Sequence, residues 1–151
     1  MNKIIMLIGA AASGKTTAAP KIAAKNNAVI ISTDRIRAAL YGAEHIQGNW
    51  QEIEAVLYDR IKNAIKQNKN IILDSTHYKK EYRAKIIKNF AKCSIFSAYY
   101  FNYPFSIIYS RNKPRARRVP FDVLAAMYEH LNNAPPTLAE GFKSIKKMYA
   151  N

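Results

Sequence analysis

An eight-residue segment near the amino terminus constrains the fold of this chain more than any other feature. It reads GAAASGKT, from Gly9 to Thr16, and matches the pattern G-x-x-x-x-G-K-[ST]. The apolar run KIIMLI (residues 3–8) precedes it and predicts a buried strand, and the Ala- and Lys-rich segment that follows, to about Asn26, predicts a helix. A strand, a glycine-rich turn and a helix in this order predict an α/β fold in which the turn wraps around phosphate oxygens.

Predicted strands and helices alternate along the whole chain. Short apolar runs predict strands at 28–31, 70–73 and 94–101, and a short last strand within 144–150. Helical spacing of apolar residues and candidate cap residues predict helices at 33–40, 50–68, 79–91, just after Pro104 and from Pro120 to about Leu131. Because alternating strands and helices form a parallel sheet flanked by helices, the 151 residues predict one α/β domain, 1–151.

The charge balance favours a partner rich in phosphate. Lys and Arg number 24 against 10 Asp and Glu, which gives a formal net charge of +14. Such a field attracts phosphates, nucleic acid or an anionic surface. A charged surface that only keeps the protein in solution is the alternative.

Cysteine content and hydropathy bear on the compartment. The single cysteine, Cys93, excludes an intramolecular disulfide and fits a reducing compartment, and its apolar neighbours predict that it is buried. No apolar run reaches membrane-spanning length. The amino-terminal segment superficially resembles a signal peptide, but its apolar core is short and glycines and a lysine follow at once. A cytoplasmic protein without membrane contact is therefore expected.

Each residue type in the loop Gly9–Thr16 has a chemical reason to be there. Glycines let the backbone amides curl around phosphate oxygens, Lys15 reaches the β- and γ-phosphates, and the Thr16 hydroxyl ligates Mg²⁺. The alternative is a glycine-rich turn that binds nothing, and the strand and helix predicted on either side of the motif disfavour it. The expected phosphate-binding residues are Gly9, Ala10, Ala11, Ala12, Ser13, Gly14, Lys15, Thr16 and Thr17.

Two acidic residues follow predicted strands at the edge where open α/β sheets bind ligands. Asp74 closes NIILD, as in segments that bind Mg²⁺ directly or through water. Asp34 follows VIIST, where it would accept a proton from an attacking hydroxyl. Helix capping is the alternative for Asp34, although Ser32 and Thr33 can also cap. Arg37 lies three residues further on the same helical face, where it would hold an acceptor phosphate or simply pair with Asp34.

The remaining acids and the histidine nearest the predicted site are expected to be structural. His77, in DSTH, has no partner at metal-ligand spacing, so a supporting or surface role is expected. The other acids lie in predicted helices or loops, where solvated salt bridges are the default: Glu44, Glu52, Glu54, Asp59, Glu81, Asp122, Glu129 and Glu140.

The segment RNKPRARRVP (residues 111–120) gathers arginines between two prolines. Phosphoryl transfer builds negative charge on the transferred group, and P-loop enzymes neutralise it with lysine, Mg²⁺ and added arginines. Pro114 and Pro120 indicate a lid of about residues 111–119 between two helices, more than a disordered tail or a targeting signal. A nonspecific polyanion-binding patch is the alternative. The candidate lid arginines are Arg111, Arg115, Arg117 and Arg118.

Four segments, in order, resemble the motifs of the P-loop polynucleotide 5'-hydroxyl kinases, typified by the kinase domain of the phage enzyme. They are GAAASGKTT, ISTDRIR, IILDST and RNKPRARRVPFDVLAAMY. The PPTLAEGF segment is similar to one in the wider group of small P-loop kinases, so the resemblance spans almost the whole chain. It implies a P-loop kinase fold with a parallel sheet of about five strands, an acceptor tunnel, and ATP and Mg²⁺ as cofactors.

The resemblance also implies roles for individual residues. Lys15 and Thr16 would contact the ATP phosphates and Mg²⁺, and Asp74 would be an essential acid. Asp34 would be the general base on the acceptor 5'-hydroxyl, with Arg37 gripping acceptor phosphate. The lid arginine that stabilises the transferred phosphate would be Arg115, assisted by Arg111.

The chain departs from the family pattern in two places. The spacer between Arg115 and Val119 is one residue shorter than in the family, which leaves Arg117 or Arg118 able to share the lid role. The residue before Asp34 is often basic in the phage enzyme, and here it is Thr33. The chain also ends where a phosphatase domain would begin, so repair of 3' ends is not expected.

Three functions remain as hypotheses. The first is an ATP-dependent kinase that phosphorylates the 5'-hydroxyl of RNA or DNA, which the net charge of +14 favours because each neutralised phosphate adds affinity. The second is a kinase of the same fold acting on a nucleoside, an antibiotic or a nucleotide-sugar. The third is a nucleic-acid-binding ATPase without a phosphoryl acceptor, which has no need of an acceptor base.

Overall fold

The centre of the molecule is a sheet of five strands, all parallel. The computed structural model describes residues 1–116 and 118–149. The strands are β1 (Asn2–Ile8), β2 (Ala28–Ser32), β3 (Asn70–Asp74), β4 (Ser94–Phe101) and β5 (Ile145–Met148), and they lie in the order β2-β3-β1-β4-β5. Every neighbouring pair is parallel. This confirms the predicted α/β fold with a five-stranded parallel sheet.

Helices connect the strands close to where the sequence predicts them. They are α1 (Lys15–Asn26), α2 (Thr33–Tyr41), α3 (Trp50–Lys66), α4 (Lys80–Phe90), α5 (Phe105–Asn112) and α6 (Phe121–Asn133), and a 3-10 turn follows at Leu138–Glu140. Pro120 caps α6 from outside and is not its first residue. Pro20 lies inside α1 on its exposed side, and the helix continues through it.

The sheet is covered on both faces, which explains the apolar runs of its strands. Ile4, Met6 and Ile8 of β1 point to one face and pack with residues from α3, α4 and α6. Ile5 and Leu7 point to the other face and pack against small and apolar residues of α1: Ala19, Ile22 and Ala23. Because successive side chains alternate between the faces, the central strand β1 must be apolar throughout its second half.

The parallel arrangement places the segments that follow the strands at one edge. In register, Asp74 at the end of β3 lies opposite Leu7 of β1 and Ser32 of β2. The loop after β1 is tied to the loop after β3, because the amide of Gly9 donates to the carbonyl of Thr76 at 3.0 Å. The residues singled out in the sequence therefore meet at the carboxyl edge of the sheet, where α/β folds bind ligands.

Cys93 is a correction, because it is exposed where burial was predicted. It belongs to a short turn of residues 91–93 between α4 and β4, and the buried part of the strand begins only with Ser94. Within residues 1–116 and 118–149, no helix combines the length and the apolar character that crossing a membrane requires.

Candidate active site

The loop between β1 and α1 is held in a compact turn by steric constraints. A Cβ on Gly9 would lie 2.9 Å from Cβ of Phe101 and 2.7 Å from Oγ of Ser13, so only glycine fits there without a shift of the loop. Gly14 and Ala12 have left-handed backbone angles, with φ of 92° and 65°. Because Gly14 has no side chain to cap the first amides of α1, an anion is the partner that these amides attract.

Lys15 is folded back onto this loop. Its Nζ donates to the carbonyl of Ala10 at 2.7 Å and to Oγ of Ser13 at 3.3 Å. Burial, together with the charge of Arg115, lowers the pKa of Lys15 to about 8, and the charges of Asp74 and Asp34 oppose this shift. Lys15 therefore lies within electrostatic reach of Asp34, Asp74 and Arg115. A bound phosphate would stabilise the charged form of Lys15, because it adds negative charge next to the buried ammonium.

Thr16 and Asp74 form the second part of the site. The Thr16 hydroxyl donates to Oδ2 of Asp74 at 3.1 Å. Burial raises the pKa of Asp74, and the nearby Asp34 adds to this, against the effects of Lys15, Thr16 and Arg35. A hydroxyl and a carboxylate side by side are oxygen ligands of the kind that Mg²⁺ takes, and a cation would stabilise the charged form of Asp74.

Asp34 is not the residue that caps α2. Oγ of Ser32 accepts a hydrogen bond from the amide of Arg35 at 3.3 Å, so the cap is Ser32. The Asp34 side chain instead pairs with Arg37, with 3.2 Å between Oδ1 and Nη1. The ion pair that the spacing allowed is therefore present. Nε of Arg37 is buried and has no hydrogen-bond partner among the described residues.

The segment predicted to be a lid begins at the end of α5, and one buried side chain, Asn112, joins its two ends. Nδ2 of Asn112 donates to the carbonyl of Val119 at 2.7 Å, and Oδ1 of Asn112 accepts from the amide of Val119 at 3.0 Å. These two bonds join the last residue of α5 to the last residue of the predicted lid. In its described part, residues 113–116 and 118–119, the loop between them forms no strand or helix, so local contacts hold it.

Two lid arginines point back to the phosphate-binding loop. Nη1 of Arg111 lies 3.7 Å from the position that a Cβ of Gly14 would take, and its guanidinium stacks 4.8 Å from the ring centre of Tyr103. Arg115 is close enough to lower the pKa of Lys15, and its Nη1 is buried without a hydrogen-bond partner among the described residues. Two cationic groups therefore face the loop in addition to Lys15.

The other two candidate lid arginines differ from these. Arg118 is exposed and donates from Nε to the carbonyl of Lys113 at 3.1 Å, so its guanidinium is bonded to the lid's own backbone. Arg117 lies outside the described residues.

His77 is buried and contacts the backbone of β1. Its Nδ1 lies 2.6 Å from the carbonyl of Leu7, and because a carbonyl only accepts, Nδ1 carries the proton. Burial lowers the pKa of His77 to about 4, so the ring is neutral near pH 7. The supporting role expected for His77 agrees with this position, and the alternative surface position is wrong.

Sequence reasoning missed a buried ion pair, Arg83–Glu140, which adjoins the backbone of His77. Arg83 is inaccessible to solvent, and its Nε lies 2.8 Å from Oε1 of Glu140. Arg83 also donates to the carbonyls of His77 at 3.0 Å and of Ala134 at 2.9 Å. The expectation of a solvated salt bridge for Glu140 is therefore wrong, because its side chain is 3% exposed. This pair connects the segment after β3 to the segment after α6.

Two signals in the sequence point to this pair in retrospect. Arg83 is spaced from Ile86, Ile87 and Phe90 as a member of the buried face of α4, where a lone charge requires a partner. Glu140 is the last residue of T-x-x-E, and with Thr137 it forms a capping box.

The comparisons with known proteins agree on the fold. A family model described as AAA domain matches residues 4–134. A search of curated protein sequences finds no significant match to this chain.

Solved structures with the same fold include kinases of several kinds. A chain of the Pnkp1/Rnl/Hen1 RNA repair complex has a TM-score of 0.79 at 19% identity, over 87% of this chain and 44% of that one. A sugar kinase from Janibacter sp. HTCC2649 has a TM-score of 0.72 at 16% identity, over 99% and 86% of the two chains. Shikimate kinase from Acinetobacter baumannii, in complex with shikimate, has a TM-score of 0.64 at 15% identity, over 100% and 86%. This chain thus spans less than half of the chain it matches in the RNA repair complex, and it shares the P-loop kinase fold with all three.

Proposed function

This chain belongs to the family that the AAA domain model describes, and on that premise we propose that it is an ATP-dependent kinase of polynucleotide 5'-hydroxyl groups. The proposal includes a single domain, residues 1–151, with residues 111–119 as its lid. The observation that carries it is the position of Asp34, a carboxylate within electrostatic reach of both Lys15 and Asp74. Since Ser32 caps α2, Asp34 is not needed for that purpose.

The phosphate-binding loop would hold the β- and γ-phosphates of ATP. Its amides and Lys15 supply positive charge, and Arg111 and Arg115 supply more from the lid side. Thr16 and Asp74 would hold Mg²⁺, directly or through water, and the ion when bound reduces the negative charge of the phosphates. ATP would release Lys15 from the carbonyl of Ala10, which it contacts now.

Asp34 and Arg37 would receive the acceptor. Asp34 takes the proton of the 5'-hydroxyl as the hydroxyl oxygen attacks the γ-phosphorus. The new phosphorus–oxygen bond forms as the bond to the β-phosphate oxygen breaks, and ADP leaves. Nε of Arg37, which is buried and has no hydrogen-bond partner in the part of the chain that the structure describes, supplies a donor for the phosphate that follows the terminal nucleoside. Lys15 and Arg115 stabilise the charge that develops on the transferred group.

A polynucleotide acceptor is favoured by charge. The net charge of +14 is much larger than one small acceptor needs, whereas each backbone phosphate neutralised adds to affinity for a polymer. The fold shared with a chain of an RNA repair complex is compatible with this acceptor. A kinase of a small alcohol is the second candidate, since a sugar kinase and a shikimate kinase share the fold as well.

One assay separates these functions. The protein is incubated with γ-labelled ATP and Mg²⁺, and with 5'-hydroxyl oligonucleotides, nucleosides or sugars in parallel. Label on oligonucleotides supports the proposal, label only on small alcohols supports the second candidate, and free phosphate alone indicates an ATPase.

The variant Asp34→Asn tests the role of the general base. It should abolish transfer while ATP affinity stays within about twofold, because Asp34 faces the acceptor and not the nucleotide. Transfer close to that of the wild-type chain would refute this mechanism.

A further inference from the structure

Two tyrosines and a lysine form a partly exposed patch at the carboxyl edge of the sheet. Tyr78 and Tyr82 are in edge-to-face contact, with 5.7 Å between ring centres and 87° between ring planes. Nζ of Lys79 lies 6.0 Å from the ring centre of Tyr78 and 5.5 Å from that of Tyr82. His130 adds a third ring, 5.6 Å from Tyr78. We call these four residues the tyrosine patch.

The tyrosine patch lies at the same carboxyl edge of the sheet as the proposed acceptor site. Tyr78 follows Asp74 by four residues, in the segment that leaves the carboxyl end of β3 and leads into α4. His130 comes from α6, the helix that follows the lid. The patch therefore bridges the β3–α4 segment and α6, and the buried hydrogen bond from Arg83 to the carbonyl of His77 fixes the backbone on which it stands.

The chemistry of the patch is that of a surface for single-stranded nucleic acid. Tyr82 is 45% exposed, so part of its ring is open to a ligand. Edge-to-face packing places the edge of one tyrosine ring against a face of the other, so the pair keeps ring faces that this contact does not cover. Aromatic faces stack on bases of any sequence, and a lysine between them is placed to pair with the phosphates that link the bases. Lys80, next to the patch, is also exposed and adds positive charge, and the exposed Glu81 beside it adds negative charge.

We propose that the tyrosine patch binds the second and following nucleotides of a single-stranded acceptor, by stacking on Tyr82 and pairing with Lys79. The inference rests on the proposed function, because it assumes that the terminal nucleoside lies at Asp34. The patch lengthens the binding site from one nucleotide to a short strand. It makes the enzyme prefer single-stranded ends without a preference for base sequence.

The experiment compares acceptors of two lengths. Transfer is measured with a nucleoside 3'-phosphate and with an oligonucleotide of roughly eight nucleotides, the size of one single-strand binding site. Tyr82→Ala should raise KM for the oligonucleotide about tenfold, and it should leave both KM and kcat for the nucleoside 3'-phosphate unchanged. Tyr82→Phe keeps the ring and should retain the affinity of the wild-type chain.

Tyr149→Ala is the matched control, because Tyr149 is 66% exposed and follows β5 at the far edge of the sheet. Tyr149→Ala should change neither KM nor kcat for either acceptor. An equal change of KM for both acceptors in Tyr82→Ala, or no change in either, would overturn the inference. The same holds if Tyr82→Phe is as impaired as Tyr82→Ala.

A binding measurement separates this inference from the proposed function. If the wild-type chain phosphorylates neither acceptor, the proposed function is wrong. The fluorescence anisotropy of the oligonucleotide labelled at its 3' end then decides on the patch alone. About tenfold weaker binding by Tyr82→Ala than by Tyr149→Ala supports the patch, and equal binding refutes it.

Discussion

The phosphate-binding loop and the lid face the same phosphates in the proposed reaction, but they are built in opposite ways. The loop follows a strand with two buried faces, and Gly9 packs so closely on Phe101 that a single methyl group would not fit. The lid has no strand or helix between Lys113 and Val119 in its described part, and a few side-chain contacts join its ends, from Asn112 to Val119 and from Arg118 to the carbonyl of Lys113. The fold itself sets the shape of the loop, whereas the lid depends on a few side chains.

This difference predicts different consequences of mutation. Changes in the loop should affect ATP binding and folding together, since the loop is continuous with the core. Changes in the lid arginines should affect the rate and leave folding intact, because exposed or half-exposed charges add little to stability.

Removal of Arg115 should give the largest effect on rate. We expect Arg115→Ala to lower kcat on the order of 10³-fold, by analogy with other arginines that stabilise a transferred phosphate. The midpoint of thermal unfolding should stay within a few degrees of the wild-type value. Single-turnover transfer and thermal unfolding are the two measurements.

Arg118→Ala is the control for that experiment, because Arg118 already bonds to the carbonyl of Lys113. It should lower kcat no more than a few-fold. A loss below tenfold for Arg115→Ala would move the main lid role to Arg117 or Arg118.

Residues that act through local sequence were predictable, and those that act through tertiary neighbours were not. The loop Gly9–Thr16 is read directly from a contiguous motif, and the strands from apolar runs. The Asp34–Arg37 ion pair follows from a spacing of three on a helix, but the burial of Nε of Arg37 depends on neighbours that spacing does not reveal.

The hidden contacts show the same limit more clearly. Arg83 and Glu140 are 57 positions apart, and His77 reaches Leu7 across 70 positions. No local pattern relates residues so distant in the chain. The prediction for Cys93 was wrong for the converse reason. Its apolar neighbours in the sequence suggested burial, but the turn between α4 and β4 leaves it exposed.

The pH dependence of ATP binding should sharpen the contrast between loop and lid. The pKa of Lys15 is lowered to about 8 in the protein without nucleotide. Below pH 8 the ammonium is ready to pair with phosphate. Above pH 8 it is neutral and must take up a proton on binding, so affinity should fall up to tenfold for each further pH unit. Titration of a fluorescent ATP analogue between about pH 7 and pH 9.5 measures this.

Two variants test whether the titration of Lys15 causes this pH dependence and whether Arg115 influences it. Lys15→Arg should show no such loss, because a guanidinium stays protonated over the whole range. Arg115→Ala should move the loss to higher pH, since the Arg115 charge is one cause of the lowered pKa of Lys15. If Arg115→Ala leaves the profile where it is, the lid does not act on the loop in the way described.

The smallest effect is expected from the two hydrogen bonds between Asn112 and Val119, which we call the clasp of the lid. Asn112→Ala removes both hydrogen bonds to Val119 and should lower the free energy of unfolding by about 1–3 kcal/mol, because the backbone groups of Val119 lose their partners. It should also lower kcat several-fold by loosening the loop that carries Arg115, without changing ATP affinity.

Asn112→Asp retains the acceptor for the amide of Val119, so its stability and its kcat should lie between those of the wild-type chain and those of Asn112→Ala. Limited trypsin digestion reports the loosening, because cleavage after Arg115 should become faster while the rest of the chain stays intact. Unchanged cleavage in Asn112→Ala would show that the lid is held by more than its clasp.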